Sequence, residues 1–159
     1  MQIREFQPAD ADELRTLFYN TVRQVNRRDY SPRQIEVWSS AAKDEQTWHT
    51  RLQTGCIYVA EAEGQAIGFI SFKEDGYIAA LFCHCEHQRK GVGTQLLNHV
   101  EQLARSLGIE RLSSEVSITA RPFSCVMASG SCSPNWLNVR ESPSAIFSWK
   151  RCSNEPIAR

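Results

Sequence analysis

The segment Gln88-Arg89-Lys90-Gly91-Val92-Gly93 constrains this chain more than any other stretch of it. It follows the apolar run Ile78-Ala79-Ala80-Leu81-Phe82-Cys83. It opens a helical pattern carrying Leu96, Leu97, Val100, Leu103 and Leu107, which Gly108 closes. A strand, a short polar loop, a glycine-flanked turn and a helix must therefore follow one another. Glycines let the backbone approach a ligand and turn several N–H groups towards it. The first helical turn adds further N–H donors and the positive end of its dipole. Arg89 and Lys90 add formal charge, so the turn suits a pyrophosphate. The bland alternative is a solvated basic helix start with an ordinary glycine cap. Neither a Walker loop nor the dinucleotide fingerprint Gly-x-Gly-x-x-Gly fits, because Thr94, Gln95 and Leu96 follow Gly93.

At 159 residues the chain is one domain with one core. Eighteen basic and eighteen acidic side chains balance, so neither a nucleic-acid nor an anionic-membrane partner is indicated. No apolar run reaches the length of a membrane span, and the N-terminus lacks an apolar signal core. A cytoplasmic protein is expected. Cys56, Cys83, Cys85, Cys125, Cys132 and Cys152 form no Cys-x-x-Cys pair, and Cys83 and His84 fall on opposite faces of a strand. Reduced thiols and no metal are expected.

Residues 2–6 alternate as a first strand. Asp10 and Glu13 read as a capping box for a helix whose stripe is Leu14, Leu17, Phe18, Val22 and Val25. Ser31 and Pro32 start a second helix, with Ile35 and Trp38 on one face. A third runs from Asp44 to about Gln53. Residues 56–62 and 66–72 read as a hairpin turning at Glu63-Gly64, and residues 111–116 as the strand after Gly108.

The spacing Gln-x-x-Gly-x-Gly, after Leu81-Phe82-Cys83-His84-Cys85-Glu86-His87, resembles the acetyl-CoA loop of the GCN5-related N-acetyltransferases. Cys85 stands where that family usually has proline. The element order matches the family plan over residues 1–123. Tyr30-Ser31-Pro32-x-Gln34-x-x-x-Trp38 and Ser117-Ile118-Thr119-Ala120-Arg121-Pro122-Phe123 look like one small bacterial subgroup. The resemblance implies an α/β fold with a mixed, strongly twisted sheet, a single N-acetyltransferase domain over 1–159, and an atypical end at 124–159.

That end differs in composition. Residues 124–159 hold eight serines, as many as the preceding 123 residues, with three of six cysteines and two of four tryptophans. No helical stripe or clean alternation is evident, so the tail is not expected to supply the family's closing helix and strand pair. A shifted reading frame after Phe123 would account for this. Restoring one nucleotide there allows the family's Phe-x-x-x-Gly-Phe, then Met-Glu-Lys from Ser148-Trp149-Lys150, then a stop from Ser153-Asn154. The alternative is a genuinely divergent C-terminus whose codons permit that reading.

By the same resemblance an acceptor amine attacks the thioester of acetyl-CoA, the acetyl donor, while a base removes its proton and an acid protonates the leaving thiolate. Leu81, Phe82 and Cys83 then supply backbone to pantetheine and the thioester carbonyl. Gln88, Arg89, Lys90, Gly91, Val92, Gly93 and Thr94 supply pyrophosphate donors. Glu115, on the strand beside the cleft, is the candidate base or else a solvated strand carboxylate. Tyr77 is the candidate for orienting a water or protonating the thiolate, or else plain packing. The position of the family's usual acid, a tyrosine, is occupied by Ser124 or lost. Tyr30 and Trp38 line the acceptor pocket or pack one helix on another. The expected partner is a small-molecule amine, with a homodimer compatible; a catalytically impaired acyl-CoA-binding remnant is the alternative.

Overall fold

A computed structural model describes residues 1–127, 132–134 and 144–150. The order is β1 (Gln2–Glu5), α1 (Ala11–Gln24), α2 (Pro32–Ser40), α3 (Glu45–Leu52), β2 (Cys56–Ala62), β3 (Gln65–Phe72), β4 (Tyr77–Cys83), α4 (Val92–Ser106), β5 (Arg111–Ser117), α5 (Arg121–Met127), β6 (Cys132–Pro134) and β7 (Ser144–Lys150). One sheet runs β1-β2-β3-β4-β5-β7-β6. Every described pairing is antiparallel except β4 with β5.

The β2–β3 hairpin turns where the sequence places it, with Glu63 at φ 53° and Gly64 at φ 76°. Apolar alternation then splits the core into two layers. Leu14, Leu17, Phe18 and Val22 of α1 pack with Ile35, Trp48, Ile57, Val59 and Phe69 on one face. Leu96, Leu97 and Val100 of α4 pack with Ile67, Ile70, Ile78 and Leu112 on the other. Gly68 lets α4 sit close to the sheet: a Cβ there would lie 2.7 Å from Val92 Cγ1 and 2.9 Å from Phe82 O.

Two expectations are corrected. Asp10 does not cap α1, because Pro8 opens a short 3-10 turn first. Its buried carboxylate instead accepts from Arg4 at 2.7 and 2.9 Å and from Gln7 N–H at 2.7 Å, while Glu13 accepts from Ala66 N–H at 2.8 Å. Arg4 holds the Asp10 carboxyl below its ordinary range. A depressed pKa stabilises the fold above the ordinary carboxylate range, and that contribution is lost as pH falls through the folded value. Asp10→Asn should cost about 2 kcal/mol at neutral pH in urea unfolding. The gap to the parent should shrink as the pH drops below the ordinary carboxylate range.

The second correction concerns the tail. α5 extends to Met127, β7 pairs with β5 over all seven residues from Arg111↔Lys150 to Ser117↔Ser144, and β6 pairs with β7. The physical reason is in the sequence: the apolar run Ala145-Ile146-Phe147 leads into Phe147 and Trp149 alternating with Ser148 and Lys150, a strand signal embedded in serine-rich surroundings. Residues 128–131, 135–143 and 151–159 lie outside the described part.

Candidate active site

The site begins where the sheet splits. β4 and β5 run parallel for two register pairs only, Tyr77↔Ser113 and Ile78↔Ser114. At the apex Ser114 Oγ donates to Ile78 O across 2.9 Å, a side chain closing the ladder where the backbone pairing ends. Beyond it the strands diverge, leaving a wedge between residues 79–83 and residues 115–117.

Strand alternation decides what β4 offers that wedge. His84 N–H bonds Ile67 O at 2.9 Å, so its peptide faces β3. Phe82, two residues back, turns the same way and registers with Phe69. Leu81 and Cys83 therefore turn their N–H and C=O groups to the wedge, whereas Phe82 gives its backbone to β3. The Phe82 ring joins the α1–α2 layer, 4.9 Å from Phe18, 5.6 Å from Phe69 and 6.4 Å from Trp38 between centroids.

The loop leaves the end of β4 through a short 3-10 turn at Cys85–His87 and returns into α4. Arg89 (φ 58°) and Gly91 (φ 82°) take left-handed conformations, which curl the backbone around the helix start. Intrahelical bonding begins with Gln95 N–H to Gly91 O at 3.0 Å, so the N–H groups ahead of it form the positive end of α4. Arg89 and Lys90 are exposed beside them. Gly93 faces Phe123 and Cys83, and a Cβ there would make ordinary contact with them, 3.4 Å from Phe123 Cζ and 3.5 Å from Cys83 Sγ. Burial pushes the Cys83 thiol up to about 11, with the Gly93 backbone opposing the shift.

The other candidates are separated from this cluster. Tyr77 registers with Ser113 at the closed end of the wedge, four residues or roughly 13 Å along β4 from Leu81. Burial, then the charges of Glu115 and Asp75, raise its pKa. Glu115 is exposed, one residue past the apex. Tyr30 is buried, its ring 5.3 Å from that of Trp38, and its hydroxyl accepts the Ile118 N–H at 2.8 Å. Thr119 Oγ1 donates to Asp29 Oδ2 at 2.7 Å. The two subgroup motifs read from the sequence are thus one physical unit, the α1–α2 connection clasped to the turn after β5. Trp38 is the half-buried member of that pair. Asp12, Glu45 and His49 bring ligand-type atoms within 4.8 Å of one another, but on the surface of α1 and α3, outside the wedge.

Sequence reasoning missed Thr21, whose hydroxyl donates to Cys83 O at 2.9 Å. The signal was a polar residue inside the apolar stripe of α1.

A splayed parallel pair leading into a glycine-turned helix N-terminus is the donor-site architecture of acyl-CoA-dependent N-acetyltransferases. The Acetyltransferase (GNAT) family profile matches residues 19–123. The chain belongs to that family. It is 35% identical over 123 residues to the uncharacterized N-acetyltransferase YafP of Escherichia coli K12, covering 77% of each chain. A GCN5-related N-acetyltransferase structure from Rhodopseudomonas palustris superposes with a TM-score of 0.83 at 27% identity, over 94% of this chain and 95% of that one. The PaiA N-acetyltransferase of Thermoplasma acidophilum, solved with coenzyme A, gives 0.76 at 19% identity over 94% and 98%. Among the described residues no helix is long and apolar enough to cross a membrane.

Proposed function

We propose that this chain moves an acetyl group from acetyl-CoA to the primary amine of a small molecule or amino-acid-like acceptor by direct attack. The carrying observation is the wedge between β4 and β5 opening onto the loop of residues 88–94. Leu81 and Cys83 hold pantetheine and polarise the thioester carbonyl, while the loop and the start of α4 take the pyrophosphate. That a neighbour of the same fold, the PaiA N-acetyltransferase, was solved in complex with coenzyme A supports a coenzyme A donor. Cys83 supports direct attack rather than a covalent acetyl-enzyme. With its pKa pushed up to about 11 it stays a thiol at neutral pH and is a poor nucleophile.

Glu115 takes the amine proton, directly or through water, and Tyr77 forms the floor of the wedge. Trp38 contributes the acceptor wall, with Tyr30 holding it and the turn at Ile118 in place. Glu115→Gln should lower kcat by about 100-fold with acetyl-CoA affinity unchanged. Steady-state rates beside calorimetric binding check this, and an unaltered kcat moves the role away from Glu115.

The family match ends at Phe123, which favours a second reading, a catalytically impaired acyl-CoA-binding remnant. Thiol release from acetyl-CoA against a broad amine panel separates the two. Amine-dependent release supports the enzyme, and tight binding without release supports the remnant.

A further inference from the structure

We propose that Thr21 is a positioning residue for the donor site, acting from α1 through the Cys83 carbonyl. The inference rests on the reading that the loop binds acetyl-CoA. Cys83 O faces away from β3 and has lost β5 as a partner, because the parallel ladder ends at Ser114. Left alone it would be a bare acceptor pointing into the wedge. Two side chains claim it: Thr21 Oγ1 at 2.9 Å and Gln88 Nε2 at 2.7 Å. A carbonyl oxygen has two lone pairs, so both are used.

This has an electrostatic and a geometric consequence. A thioester carbonyl and a pyrophosphate present oxygens, which an unclaimed backbone oxygen repels. With Cys83 O occupied, the acceptor nearest the loop is removed from the wedge, and the Cys83 N–H is left to face the ligand. The sulfur of the same residue lies against Gly93 in the first turn of α4, 3.5 Å from where a Cβ would stand. Cys83 therefore joins α1, the loop and α4, and a change in its backbone torsion would move the helix start that faces the phosphates. Thr21 is 4% exposed and occupies the turn of α1 between Phe18 and Val22, a place where packing alone would suit valine. Its hydroxyl is there for the carbonyl. Gln88 lies in the loop itself and could touch ligand directly. Thr21 acts only through Cys83, which makes it the cleaner probe.

The test compares Thr21→Val, Thr21→Ser and Thr21→Ala with the parent by acetyl-CoA calorimetry and steady-state kinetics. Thr21→Val should raise Kd and KM for acetyl-CoA by about tenfold, the scale of one buried hydrogen bond, with kcat within about twofold. Thr21→Ser should bind as the parent does. Serine and alanine differ by one oxygen, so that pair carries the test where valine prevents folding, with alanine weakened and serine not. A Thr21→Val protein that binds like the parent overturns the proposal. So does a Thr21→Ser protein as weak as Thr21→Ala, which would make the lost methyl the cause. A parent that binds no acetyl-CoA overturns the loop reading and this one together, an outcome distinct from an indifferent variant of a parent that binds.

Discussion

Gly93→Asp should abolish acetyl-CoA binding, with a loss of about 100-fold or more in calorimetry. The effect is one of charge, because the new Cβ itself would stand in ordinary contact, 3.4 Å from Phe123 Cζ and 3.5 Å from Cys83 Sγ. The carboxylate would lie at the helix terminus, where the pyrophosphate is placed, and repel it. The fold should survive, because an acidic side chain in the first turn complements the helix dipole. A thermal midpoint near the parent's separates lost binding from lost structure. Lys90→Ala should weaken binding only slightly, since its charge is exposed. A Gly93→Asp protein that binds acetyl-CoA as tightly as the parent would remove the loop from the site.

Gly76→Ala should be the most damaging small substitution for stability, costing about 3–4 kcal/mol in urea unfolding. Gly76 has φ 86°, a conformation that alanine adopts only with strain. Its Cβ would come within 2.2 Å of Arg111 O and 3.0 Å of Ile109 Cγ2. Gly76 O also accepts the Ser113 N–H at 3.0 Å, the bond that starts the β4–β5 pair. Only two register pairs follow, so the strain falls on the apex that defines the wedge. Acetyl-CoA affinity should fall together with stability. An unchanged urea midpoint would show that β5 shifts without cost.

The elements were legible where one periodicity dominated. Leu96, Leu97 and Val100 of the α4 stripe, the Glu63-Gly64 hairpin and the Ser31 cap at α2 are as read, whereas Leu107, read as part of that stripe, lies past the end of α4 and is exposed. The glycine loop was legible because few backbones need Gly-x-Gly at a helix start. Long-range partners were not. Asp10 and Glu13 have capping-box spacing, yet one pairs with Arg4 and the other with Ala66, contacts that only the folded sheet creates. Tyr30 and Ile118 are 88 residues apart, and no local pattern announces the bond between them. The strand at Ser144–Lys150 carries a strand signal but was hidden by the serines around it.

Titrating acetyl-CoA into the 15N-labelled protein and following the backbone amides tests the central claim most directly. The account predicts saturable shifts concentrated at Leu81, Cys83 and residues 88–94, with Gly91 and Val92 among the largest. Saturable binding whose shifts leave that loop and the end of β4 unmoved would contradict it.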